Sequence, residues 1–137
     1  MNKQSVKRFG IILFIIFLAV GFYLQYGRDI DVYNSYVFSV GNRNEQTLKV
    51  VVNKLWIKDK RKYANEILEK CKTNSFKSID FCYDSYIPDE LYVDVYLSNI
   101  AVRKGNPIFS FSYLPEDRNM EYNFIDDSTK YVLNIQQ

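Results

Sequence analysis

The most continuous apolar run in the chain spans residues 9–27, "FGIILFIIFLAVGFYLQYG", where 19 positions carry no charge. As a helix this run is about 28 Å long, close to the ~30 Å hydrocarbon core of a bilayer. A helix on the surface of a soluble domain keeps a polar face; this run has none before Gln25. Phe22, Tyr23 and Tyr26 lie at its far end, where amphipathic rings favour a membrane interface. The pattern predicts a membrane-spanning signal anchor over residues 9–27. A cleavable signal peptide is the alternative, with Ala19-Val20-Gly21 as a small-x-small site. Against it, no polar segment precedes that site and the apolar run continues past it to Leu24.

Beyond the run, the periodicity changes to that of a folded domain. Residues 28–35, "RDIDVYNS", read as a polar neck. "YVFSVG" (36–41) and "QTLKVVVNKLWI" (46–57) read as strands, with a turn at "NRNE" where Asn tolerates left-handed backbone angles. Leu48, Val50 and Val52 share one face, and the disturbed alternation near Asn53 predicts a bulge or burial on both faces. Ala64, Ile67, Leu68 and Cys71 fall at i, i+3, i+4 and i+7, the apolar stripe of a helix. Asp59 is placed to cap it and "TNS" to end it. Alternating strands are then expected in "KSIDFCY" (77–83), "LYVDVYLSNIAV" (91–102), "IFSFSYL" (108–114), "EYNFI" (121–125) and "KYVLNI" (130–135). Gly105 and Asn106 are the expected left-handed positions of a hairpin turn. One helix among hairpin-spaced strands is an α+β pattern. It predicts an antiparallel or mixed sheet of five to six strands with the helix on one face. The expected organisation is a cytoplasmic N-terminus (1–8), the span (9–27), the neck (28–35) and an extracytoplasmic α+β domain (36–137).

Charge gives the span a direction. Lys3, Lys7 and Arg8 precede it, whereas Arg28, Asp29 and Asp31 follow, so the N-terminus is expected in the cytoplasm. Without those three N-terminal cations the net charge moves from +2 to −1. This leaves no large positive footprint for nucleic acid. Tyr, Phe, Ile, Lys and Asn fill 59 of 137 positions. Their AT-rich codons suggest a low-GC bacterial source.

The chain contains no histidine. That removes His-based triads, the commonest zinc sites and the usual general base near neutral pH. No Walker loop, dinucleotide fingerprint, nucleophile elbow or CxxC pair occurs. The carboxylates Asp80, Asp84, Asp94, Asp126 and Asp127 are read as turn or solvent-facing residues, without the density of a calcium loop. Cys71 lies on the apolar helix face and Cys82 is out of phase with Ile79, Phe81 and Tyr83, a poor geometry for a disulfide. Neither a cofactor nor a bound metal is expected.

Two surfaces remain as candidates. Lys54, Lys58, Lys60, Arg61 and Lys62 form a basic stretch suited to anionic headgroups or a partner. Its cations in the first helical turn oppose the helix dipole, so helix stability does not explain them. Tyr83, Tyr86, Tyr92, Tyr96 and Tyr113 form a tyrosine set. Within it, Tyr92, Asp94 and Tyr96 share the outward phase of their strand and are the expected contact face for a protein partner. The sequence thus predicts a single-pass bacterial envelope protein presenting a non-enzymatic binding domain outside the membrane. A secreted binding or inhibitory protein is the first alternative, and a hydrolase using carboxylates alone the second.

Overall fold

The computed structural model describes residues 2–137. An apolar helix α1 (Lys3–Tyr26) leads into an α+β domain. The domain contains strands β1 (Asp31–Val40) and β2 (Arg43–Val51), helix α2 (Lys60–Thr73), strand β3 (Glu90–Tyr96), helix α3 (Asn99–Arg103), strand β4 (Phe109–Pro115) and strand β5 (Tyr131–Gln136). The strands form one mixed sheet in the order β1-β2-β3-β4-β5. All neighbours pair antiparallel except β2 and β3. A parallel pair needs a long crossover, and α2 supplies it.

The main core forms where α2 meets one face of the sheet. Ala64, Ile67, Leu68 and Cys71 of α2 are buried with Leu48, Val50, Leu91, Val93, Val95, Phe109 and Phe111. The helix boundaries follow local chemistry. The Asp59 side chain accepts from the Lys62 amide at 3.1 Å, a side-chain N-cap. Asn74 takes the left-handed conformation, with Asn74 N–H bonded to Cys71 O and Ser75 N–H to Lys70 O. These are the two bonds of a Schellman ending.

Strand β1 begins at Asp31, inside the expected polar neck, because Ile30 and Val32 are buried in the main core. Its pairing slips between Val32 and Asn34, so the irregularity expected near Asn53 lies on the partner strand. Burial on both faces does occur there. Val50 and Val52 face the main core, while Val51 packs in a second cluster. Gly41, with φ +61°, takes the positive angle of the two-residue β1–β2 turn, and Arg43, Asn44 and Glu45 already belong to β2. Strand β2 ends at Val51, and Asn53 (φ 54°) turns the chain away, so residues 54–57 are not strand.

Three further expected strands are corrected. Residues 77–83 form no strand among the described residues. Ile79, Phe81 and Tyr83 pack toward the core as their alternation implies. Their backbone is held by a side chain instead of a ladder: Asn74 Oδ1 accepts from Phe81 N–H at 2.8 Å and Nδ2 donates to Phe81 O at 2.8 Å. The strand expected over 91–102 stops at Tyr96, and α3 follows. Ser98 Oγ accepts from Ala101 N–H at 3.3 Å, starting the helix. Gly105 (φ +65°) ends it with a second Schellman pair, Gly105 N–H to Val102 O and Asn106 N–H to Ala101 O. Gly105 alone, not Asn106, is left-handed. Finally, "EYNFI" is a turn, because Asn123 Oδ1 accepts from the Ile125 and Asp126 amides and Asp127 Oδ2 accepts from Asn123 N–H.

Candidate functional site

Strand parity places Tyr92, Asp94 and Tyr96 on the sheet face opposite α2, as the alternation requires. The three residues nevertheless differ in access. Helix α3 folds back over the end of this face and covers Tyr96, which is 3% exposed and packs with Val51 and Val102. The expected outward position of Tyr96 is therefore corrected: a short helix occupies the space above it. Burial, with the charge of Asp94 and then Tyr36 nearby, raises its phenol pKa. Tyr92 is half-buried and donates its hydroxyl to Glu90 Oε2 at 2.8 Å. Burial and that bond raise its pKa as well. Asp94, also half-buried, accepts from Ser110 Oγ at 2.6 Å. The other members of the tyrosine set do not join this face. Tyr83 and Tyr113 pack with the main core, and Tyr86 lies exposed in the 77–88 segment.

The accessible apolar part of the face lies one strand beyond β2, on β1. Tyr36 opposes Thr47 and Thr47 opposes Tyr92, so one row crosses the sheet. Tyr36, Phe38 and Val40 share that phase and are 52%, 62% and 55% exposed. Among the described residues β1 pairs with β2 alone, leaving one edge of its backbone open. Exposed apolar side chains on an open edge form a ready surface for association. The alternating apolar letters of "YVFSV" signal a strand, but not which phase the fold leaves bare.

Glu90, at the start of β3, was not singled out by the sequence pattern. It is 1% exposed. Its Oε1 faces Arg43 Nη1 at 3.6 Å and Arg118 Nε at 3.4 Å, and has no hydrogen-bond donor among the described residues. Arg43 also donates to Arg118 O at 2.6 Å. These groups line a cleft of about 130 Å³ with Asp89 and Glu121. The carboxylate is opposed by two guanidiniums and a phenol, which ties the β1–β2 hairpin to the 116–121 loop. Arg43 and Arg118 lie 75 positions apart, so no local pattern reveals the knot.

Of the other candidate carboxylates, Asp80, Asp126 and Asp127 serve local structure. Asp80 accepts from Asn74 Nδ2 at 2.6 Å, and Asp126 from Asn123 Nδ2 at 2.9 Å. Asp84 is exposed. No group of three or more Cys, Asp or Glu side chains is placed to share a metal ion among the described residues.

The basic stretch lies at the junction between α1 and the domain. Gln25 is the one buried residue of α1. Its Oε1 accepts from the Leu55 and Trp56 amides at 2.8 and 3.4 Å, and its Nε2 donates to Trp56 O at 3.1 Å. Lys54 Nζ donates to Arg28 O at 3.0 Å and Asn53 Nδ2 to Asp29 O at 2.8 Å. Lys54 is thus a strut in the joint. Lys58 and Lys62 line a cleft of about 280 Å³ with Gln25, Tyr26, Trp56, Asp59 and Tyr63. Lys60 is half-buried and Arg61 exposed at the start of α2. Gly27 allows close approach at the end of α1, since a Cβ there would lie 2.9 Å from Tyr23 O. The importance of Gln25 is legible only as the first polar break in the apolar run.

No protein-family model, no curated protein and no solved structure matches the chain.

Proposed function

We propose that this chain is a single-pass membrane protein of a bacterial envelope. Its N-terminus lies in the cytoplasm, and its α+β domain is a non-enzymatic binding module held outside. The observation that carries the reading is α1: a 24-residue helix, long and apolar enough to cross a membrane, that meets the domain only through its last turns. A helix that belonged to a soluble core would be covered by it. Here Ile11, Ile12, Leu13, Phe14, Ile15 and Ile16 are each more than half exposed. The contact surface for a protein partner is the outer sheet face at its β1 edge, with Tyr36 and Phe38 as anchors and Tyr92 and Asp94 behind them. Tyr96 supports this surface from beneath α3.

Membrane fractionation with intact-mass measurement tests the anchor. The expected result is carbonate-resistant sedimentation of a chain retaining residues 1–21. A soluble mature chain starting at Phe22 would replace the anchor with the secreted alternative. For the contact face, Tyr36→Ala with Phe38→Ala is expected to abolish capture of the partner from detergent-solubilised membranes while leaving the melting temperature unchanged. Capture at wild-type level by the folded double variant would move the partner's site off β1.

A further inference from the structure

We propose that the segment 54–62 is a seat on the outer surface of the bilayer, with Leu55 and Trp56 in the interfacial layer and Lys58 and Lys62 on anionic phospholipid headgroups. This inference rests on the anchor reading of α1 and goes beyond it by giving the domain a fixed posture. Gln25 sits one residue before the end of α1 and holds the backbone of Leu55 and Trp56 through three hydrogen bonds. Both side chains are therefore fixed at the level where the apolar helix ends. Leu55 is 46% exposed and Trp56 50% exposed; Tyr26 lines the same cleft as Trp56, and Phe22 and Tyr23 of the same helix end are exposed as well. Trp and Tyr favour this depth of a bilayer because their rings are apolar and their polar atoms remain wet.

Charge complementarity selects the headgroup. Lys58 and Lys62 line the cleft beside Trp56. The one carboxylate lining it, Asp59, caps α2. The N-terminus of the 14-residue α2 opens at the same corner, adding the positive end of its dipole. Cations in a first helical turn oppose that dipole, and a facing layer of phosphates compensates both. A protein partner at this level would have to displace the lipid that surrounds the end of α1.

Trp56 is the single tryptophan of the chain, so its fluorescence reports the seat directly. The full chain is reconstituted in vesicles of phosphatidylcholine, or of equal parts phosphatidylcholine and phosphatidylglycerol, with bromines near the headgroup end of the acyl chains. The expected result is co-flotation with both vesicles, blue-shifted emission, and bromine quenching that is stronger with phosphatidylglycerol. Lys58→Glu with Lys62→Glu should lose that extra quenching and still float. Gln25→Ala should float but lose most of the quenching, because the tether to Trp56 is gone. A chain that floats while Trp56 stays open to aqueous iodide and untouched by bromine overturns the seat and leaves the anchor standing. A chain that does not float overturns both. Equal quenching by the two vesicle types overturns the headgroup assignment.

Discussion

Cys71 lies at the centre of the contact between α2 and the sheet, fully buried, while Cys82 is exposed in the 77–88 segment. Both are free thiols. Burial pushes the Cys71 thiol from its ordinary value of 9.0 up to about 12, with Lys72 only partly opposing. Tyr83, which donates its hydroxyl to Cys71 O at 3.0 Å, is raised by the same burial and then by Cys71. Between pH 9.0 and about 12 the folded chain therefore holds a proton at Cys71 that the unfolded chain has lost. Stability is intact below that window and falls as pH rises through it, because the native state is the more protonated one. Melting temperatures measured from neutral pH upward should decline above about pH 9, and Cys71→Ala should flatten that decline while costing some packing. A thiol reagent should modify Cys82 at once in the native protein and Cys71 only after unfolding. Equal rates at the two sites would mean that the α2 face opens readily. The helical spacing of Ala64, Ile67, Leu68 and Cys71 makes the burial of this thiol legible in the sequence. Glu90 shows the opposite case, because its burial depends on an arginine brought in from the 116–121 loop. Arg43→Ala with Arg118→Ala should cost about 3 kcal/mol by stranding a buried carboxylate, and Glu90→Gln much less, since both guanidiniums can return to water. Chemical denaturation of the two variants decides the order.

At the scale of elements, periodicity marked what packs and missed how some of it is held. Ile79, Phe81 and Tyr83 alternate as strand residues do and pack toward the core as predicted, yet Asn74 satisfies the backbone of Phe81 and no ladder forms. The alternation of "LYVDVYL" runs without a break into "SNIAV", although Ser98 is an N-cap residue and Gly105 a helix stop. Two capping signals seven positions apart enclose too short a helix for a 3.6-residue period to emerge. Helix α3 decides the character of the outer face, because its Val102 packs over Tyr96 and Val51. Tyr96→Ala should therefore destabilise the domain by about 3 kcal/mol, in the range for truncating a buried large side chain. Tyr92→Ala removes a half-exposed ring and one donor to Glu90, and should cost about 1–2 kcal/mol. A thermal melt in which Tyr96→Ala is as stable as wild type would place α3 off the sheet and return Tyr96 to the accessible surface.

For the whole molecule, the asymmetry of charge around α1 bears on which side of a membrane the domain occupies. Lys3, Lys7 and Arg8 lie in the first turns of α1, where cations oppose the helix dipole and gain nothing from it. Under the proposed orientation their placement serves retention on the cytoplasmic side, as cytoplasmic flanks of spans carry excess Lys and Arg. The other end is different. Arg28 folds back and donates to Leu24 O at 3.2 and 2.9 Å, so it caps the helix C-terminus, where a cation is favourable. Asp29 pairs with Lys77, and that contact holds its carboxyl below the ordinary range. Arg28, Lys54 and Lys77 at the far end are thus engaged in local contacts, and the flank that precedes the span contributes Lys3, Lys7 and Arg8 to the orientation signal. In cells stripped of their wall, external protease should remove the domain and spare an N-terminal tag. Replacing Lys3, Lys7 and Arg8 together by Gln should produce a mixed population, with part of the domain protected. An inverted wild-type chain would place the binding face and the 54–62 corner on the cytoplasmic side. If the triple variant keeps a single orientation, the domain itself must set the direction, by folding on one side before the span is committed.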